Sequence, residues 1–205
     1  METVDLALVL AVDGSASVTY DEFNLIAGGM ATALRDKVVI AGLTGGPAKA
    51  SYACLLLWSG TGAQDVIVPW TRIASPTDAL AFADDVDNMS RNVRAGETAI
   101  GEALLRALTL LASVPANPKR SVVDVIGDGR SNNGIPPGPV RDRMTDAGIT
   151  INGLCILHEE SDLLRSYTEE VIGGPGAFAV TCKDYADFIS AMKQKLTRET
   201  NAPIA

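Results

Sequence analysis

One histidine, three cysteines and 5% aromatic residues in a chain of 205 leave little material for zinc sites, thiol redox chemistry or imidazole catalysis. Cys54, Cys155 and Cys182 are odd in number, lack a CxxC spacing and each lie inside an apolar run, so they read as buried thiols. Cys155 and Cys182 fall in the last two predicted strands, which leaves a bridge between them open, since spacing says nothing of the geometry it needs. Basic residues are scarce as well: 17 Lys and Arg stand against 25 Asp and Glu, a net charge of -8, and no segment gathers a basic run. Nucleic-acid backbones and anionic membrane surfaces are therefore poor partners. No apolar stretch approaches the roughly 20 residues of a bilayer span, because the run from Leu6 breaks at Asp13 and that from Leu55 stops at Ser59. Membrane insertion is not expected.

What is present is 47% apolar residues with 20% charged, enough chain and enough grease for one large core, and no internal repeat, linker or low-complexity segment. The expectation is a single domain over residues 1–205. Short β-rich apolar runs at 4–12, 51–59, 65–70, 121–127, 149–157 and 177–181 alternate with stretches of helical period. That alternation predicts an α/β fold, a Rossmann-like doubly wound sheet, mostly parallel, with helices on both faces. Only five residues separate the second and third runs, too few for a parallel crossover, so they form an antiparallel hairpin at one edge.

Helix starts are legible. Thr19 with Glu22 makes a capping box ahead of Phe23, Ile26, Met30 and Leu34. Ser75-Pro76-Thr77-Asp78 caps a second helix carrying Leu80 and Phe82. Ile100, Leu104, Leu108 and Leu111 stripe a third, with Glu102 and Arg106 spaced to pair. Further helices are read at 136–147, 162–171 and 184–198, the last with Tyr185, Phe188, Ile189, Met192 and Leu196 on one face.

In open sheets of this class ligands bind beyond the carboxyl ends of the strands, where strand order reverses. The first strand ends in Asp13-Gly14-Ser15-Ala16-Ser17 and the fourth in Gly127-Asp128-Gly129-Arg130. With the usual strand order these two loops are neighbours, and Asp13 and Asp128 converge. Two unpaired carboxylates side by side repel, whereas a divalent cation between them removes the cost. Hard oxygen donors with no nearby His or Cys select Mg²⁺, Ca²⁺ or Mn²⁺ over Zn²⁺, and Mg²⁺ is the ion expected. The i, i+2, i+4 spacing of Asp13, Ser15 and Ser17 lets one tight loop turn all three toward an ion.

The Asp13-x-Ser15-x-Ser17 motif closing an apolar first strand resembles the metal-ion-dependent adhesion site (MIDAS) of von Willebrand factor type A (vWA) domains. The resemblance extends to Thr98 in Ala95-Gly96-Glu97-Thr98-Ala99-Ile100-Gly101 and to Asp128, filling five positions in order along essentially the whole chain. The stretches Val68-Pro69-Trp70-Thr71-Arg72-Ile73, Ile149-Thr150-Ile151-Asn152-Gly153-Leu154 and Val171-Ile172-Gly173-Gly174-Pro175-Gly176-Ala177-Phe178 are similar to a bacterial vWA-like subfamily of unknown function, domain of unknown function 1194. The resemblance implies that Ser15, Ser17 and Thr98 supply hydroxyl oxygens and that Asp13 and Asp128 act directly or through water. It also implies one open coordination position, completed by a carboxylate from a partner protein, and a binding module rather than an enzyme. Arg130, Ser131, Asn132 and Asn133, which extend the metal loop beside that position, are the expected partner contacts, with Pro136-Pro137-Gly138-Pro139 stiffening the rim. Members of the subfamily look exported, so a periplasmic or extracellular location after signal removal is expected, with a cytoplasmic one as the alternative.

Competing readings meet specific gaps. A metal-dependent phosphohydrolase of haloacid-dehalogenase type needs a second acid two residues after its nucleophile, where Ser15 stands, and an Asn-Asp pair that does not follow Gly127-Asp128-Gly129. A dinucleotide site lacks its third glycine, since Asn132 occupies that position. His158 follows the fifth strand beside Glu159 and Glu160 and reads as a surface residue, and Ser15 is outside any GxSxG elbow. Trp58 and Trp70 lie in the edge hairpin and read as packing residues. A degenerate domain, structural and without metal, also stays open: Asp and Ser often do no more than shape turns.

Overall fold

The computed structural model describes residues 1–202. Its strands are β1 (Thr3–Asp13), β2 (Ser51–Trp58), β3 (Gln64–Ile73), β4 (Asn117–Gly127), β5 (Thr150–Ile156) and β6 (Ala179–Cys182). Its helices are α1 (Tyr20–Leu34), α2 (Lys37–Thr44), α3 (Pro76–Asp87), α4 (Ile100–Ala112), α5 (Pro137–Asp146), α6 (Leu163–Ser166) and α7 (Phe188–Thr200), with a π-helical turn at Tyr167–Val171 directly after α6. The sheet order is β3-β2-β1-β4-β5-β6, parallel throughout except for the antiparallel β2–β3 edge hairpin. Strand order reverses between β1 and β4, as expected, and their register sets Val12 against Ile126. The residues that follow, Asp13 and Gly127-Asp128, therefore leave the sheet at one level.

Alternate residues of the central strands feed two cores. Leu6, Leu8, Leu10 and Val12 face α1, α3 and α7, while Ala7, Val9 and Ala11 face α4 and the π-turn. Cys155 belongs to the second core and Cys182 to the first, so the sheet itself stands between their thiols. All three cysteines are free. The open question of a Cys155–Cys182 bridge is answered by the two-residue period of the strands.

Thr19 forms the capping box with Glu22, and Ser75 caps α3 through the Asp78 amide. Several expectations are corrected. Glu102 does not pair with Arg106 but accepts from the Ile135 amide at 3.0 Å, fastening α4 to the loop before α5. Leu80 and Ile189 point outward, 43% and 45% exposed. The last helix begins at Phe188, because Asp184 spends its carboxylate on the amides of Ala186 and Asp187 in the preceding turn. Tyr185 thus lies outside the helix. α2 has no counterpart in the expectation: Val38-Val39-Ile40 and Gly42 are weak helix formers, yet Asp36 caps the Val38 amide at 2.9 Å and Val39 and Leu43 are buried.

Candidate metal centre

β1 delivers Asp13 fully buried at the carboxyl end of the sheet. The chain then turns tightly. The Gly14 amide donates to the Trp58 carbonyl at 2.7 Å, the Ser15 amide to Asp13 Oδ1 at 2.7 Å, and the Ala16 amide to the Gly96 carbonyl at 2.8 Å. This Asx-type turn orients the hydroxyls. Ser15 Oγ and Ser17 Oγ are 3.0 Å apart, Ser17 Oγ donates to Asp128 Oδ1 at 2.7 Å, and the Tyr185 hydroxyl donates to Asp128 Oδ2 at 3.1 Å. Thr98, on the loop ahead of α4, is held by its backbone: its amide donates to Asn132 Oδ1 at 2.8 Å and its carbonyl accepts from the Asn132 amide at 2.9 Å. A methyl group at Gly129 would stand 3.9 Å from Thr98 Oγ1, which places that hydroxyl against the Asp128 loop.

Two of the residues holding this arrangement carry no sequence pattern. Arg91, in the loop between α3 and α4, donates from Nη1 to the Val18 carbonyl at 2.7 Å and from Nη2 to the carbonyls of Gly14 at 2.8 Å and Ser15 at 2.5 Å. Tyr185 was expected on a helix face and instead reaches Asp128. The strand order does not signal the second, because β5 lies between β4 and β6 and the turn after β6 reaches across it to the loop after β4.

The electrostatics of the cluster are unbalanced. Burial first, and the neighbouring Asp128 second, push the Asp13 carboxyl up to about 7. Burial also raises Asp128, against the lowering effect of the hydrogen bonds from Ser17 and Tyr185. Asp13 Oδ2 is buried with no hydrogen-bond partner, and so is the Tyr167 hydroxyl. Both face Gly127, where an added methyl would lie 3.0 Å from Asp13 Oδ2. Glycine there leaves room beside a buried carboxylate oxygen that no donor satisfies. Among the described residues no group of three or more His, Cys, Asp or Glu is arranged for a metal, so any ion here would depend on hydroxyl oxygens. Two carboxylates with Ser and Thr hydroxyls are a hard donor set of the kind that Mg²⁺, Ca²⁺ and Mn²⁺ take.

Residues 3–204 match the family described as protein of unknown function, DUF1194. The chain belongs to the DUF1194 family. No curated protein matches its sequence. Among solved structures, proximal thread matrix protein 1 from the mussel byssus is 17% identical with a TM-score of 0.69, over 94% of this chain and 47% of that one. The same mussel protein with a zinc-occupied MIDAS motif gives a TM-score of 0.66 at 17% identity, over 95% and 48%. The vWF domain of the type V pili tip protein Mfa5 from Porphyromonas gingivalis gives 0.64 at 10% identity, over 100% and 98%. This DUF1194 chain thus has the vWA fold, and it spans about half the length of the mussel protein it matches.

The four residues after Gly129 in this DUF1194 chain are largely engaged in building the site. Arg130 donates to Glu160 Oε2 at 2.6 Å and to Asp162 Oδ1 at 2.8 Å. Asn133 Oδ1 accepts from the amide and hydroxyl of Thr61 in the β2–β3 turn at 2.9 and 2.6 Å, and Ser131 leans on the Thr98 carbonyl at 3.4 Å. Arg130 and Asn132 remain exposed at the rim. Trp58 is fully buried, Trp70 is anchored to the Leu110 carbonyl at 3.2 Å, and His158 is exposed, as expected of packing and surface residues.

Proposed function

We propose that the 205 residues form one vWA domain that binds a divalent cation, Mg²⁺ first among the candidates, and uses it to capture an acidic side chain of a partner protein. Ser15, Ser17 and Thr98 would hold the ion through hydroxyl oxygens, with Asp13 and Asp128 acting on it directly or through water. The observation that carries the reading is Asp13 Oδ2, a buried carboxylate oxygen with no partner, on the residue whose Oδ1 takes the Ser15 amide at the head of the linked Ser15, Ser17 and Asp128 side chains. A cation in that space supplies a positive centre on a chain of net charge -8, and Mg²⁺ keeps waters that an incoming carboxylate can displace. Asp13, Ser15, Thr98 and Asp128 are buried and Ser17 is exposed, while exposed Arg130 and Asn132, with Ser131 and Asn133 behind them, form the rim against which a partner would rest.

This is a binding role, with no turnover. The mussel matrix protein and the pilus tip protein of like fold act outside the cell as their names describe, which supports a periplasmic or extracellular location for this chain. Titration calorimetry with Mg²⁺, Ca²⁺ and Mn²⁺ on the wild type and on Asp13→Ala tests the reading. Binding by the wild type that Asp13→Ala abolishes is the expected result, and no heat from the wild type at millimolar metal would sink it.

A further inference from the structure

We propose that Tyr185 is a positioning residue of the metal site, holding Asp128 back as the proton acceptor of Ser17. The inference rests on the cation reading above and adds a residue to it. Both oxygens of Asp128 receive hydroxyl protons: Oδ1 takes that of Ser17 at 2.7 Å and Oδ2 that of Tyr185 at 3.1 Å. With its proton committed to Asp128, Ser17 Oγ keeps its lone pairs for Ser15 and for an ion. With Oδ2 committed to Tyr185, Asp128 is not free to swing its second oxygen toward the ion, so its charge is felt through Ser17.

Tyr185 is suited to that task. It is 7% exposed, its ring stands edge-on to His158 with centroids 6.3 Å apart, and a phenol carries the hydroxyl proton that a carboxylate oxygen accepts. It enters from the turn between β6 and α7, where Asp184 ties down the amides of Ala186 and Asp187. The donor is thus fixed by backbone bonds that do not involve the metal loops. Partners of this outer kind orient a ligand, and their removal costs roughly 10- to 100-fold in metal affinity.

The test is Tyr185→Phe, which keeps the ring and removes only the donor. Calorimetry should show Mg²⁺ affinity falling at least about tenfold, and Ca²⁺ affinity falling less, because Mg²⁺ tolerates little departure from octahedral geometry. The thermal midpoint in EDTA should stay close to that of the wild type. An unchanged Mg²⁺ affinity would overturn the proposal. So would equal losses for both ions accompanied by a lowered midpoint in EDTA, the pattern of a merely structural hydroxyl. If the wild type binds neither ion, the cation reading itself fails, which is a different outcome from wild-type binding that the variant leaves untouched.

Discussion

Arg91 Nη2 donates to the Ser15 carbonyl at 2.5 Å, the shortest of three bonds by which one guanidinium holds the loop after β1. The loop carries two of the proposed hydroxyl donors, and nothing else ties the carbonyls of Gly14, Ser15 and Val18 to a side chain. Arg91→Ala leaves the Gly14 and Val18 carbonyls without this donor, while the Ser15 carbonyl keeps the Val18 amide at 3.2 Å, at a cost of about 1–3 kcal/mol for each carbonyl left unpaired and dry. We expect a loss of roughly 2–4 kcal/mol by urea denaturation in EDTA, with metal affinity falling as well. Arg91→Lys should restore only part, because an ammonium cannot span three carbonyls as a planar fork can. Full stability in the lysine variant would contradict the fork.

Asp13 makes the metal-free protein sensitive to pH in a direction that can be derived. Its folded pKa of about 7 lies above the 3.8 of an ordinary aspartate, so below pH ~4 both states are protonated and stability is complete. Between about 4 and 7 the unfolded chain releases the proton first, and stability falls by roughly 4 kcal/mol in all. Asp13→Asn removes this fall. In EDTA the variant should equal or exceed the wild type at pH 8 and lose that advantage near pH 4.5, and Mg²⁺ should stabilise only the wild type. Parallel pH profiles for the two proteins in EDTA would contradict the burial of an unpartnered carboxylate.

The thiols offer a test of the sheet's two-sidedness. Burial pushes Cys54, Cys155 and Cys182 up to about 12, and thiols so protonated react slowly. Because Cys155 and Cys182 lie on opposite faces, oxidising conditions should not link them. Mass spectrometry after mild oxidation should find three reduced cysteines, and a thiol-reactive dye at pH 8 should label them only in denaturant. A Cys155–Cys182 peptide in the digest would mean that the strands slip by one residue.

The sequence reading reached the sheet because its signals were local and periodic. Six apolar runs, one pair too close for a crossover and the rest separated by stretches of helical period, leave few topologies. Asp13 and Asp128 meet because the strand order makes β1 and β4 neighbours, Ser15 and Ser17 follow in the loop that Asp13 opens, and Thr98 is brought up by its backbone bonds to Asn132. Arg91 and Tyr185 escaped for the opposite reason. Arg91 acts through backbone carbonyls, which leave no mark on the sequence they belong to, and Tyr185 fitted an apolar helical stripe that in fact begins three residues later, at Phe188. α2 escaped because packing of Val39 and Leu43 overrides the poor helix propensity of its segment. The Glu102–Arg106 pairing failed because an exposed i, i+4 pair contributes little, and a free backbone amide at Ile135 was within reach.

At mid-strand in β4 a different set of charges is sealed between the sheet and α7. Lys195, fully buried, pairs with Asp124 Oδ1 at 2.5 Å and with Glu199, whose Oε1 also accepts from Asn152 Nδ2 at 2.7 Å. Two carboxylates share one ammonium, and burial followed by the charge of Asp124 raises Glu199 well above 4.5. The sign follows as for any raised acid: stability is whole below pH ~4.5 and declines as the unfolded glutamate ionises while the folded one does not. Glu199→Gln keeps the acceptor for Lys195 and Asn152 without the charge, so it should gain on the wild type at pH 8 and match it near pH 4. Lys195→Met is the contrasting change, because it strands Asp124 in the core, and removing one partner of a buried pair costs about 3–5 kcal/mol. Urea unfolding of the two variants at both pH values separates the roles. A glutamine variant less stable than the wild type at pH 8 would mean that Glu199 is ionised in the fold and that Lys195 neutralises both acids.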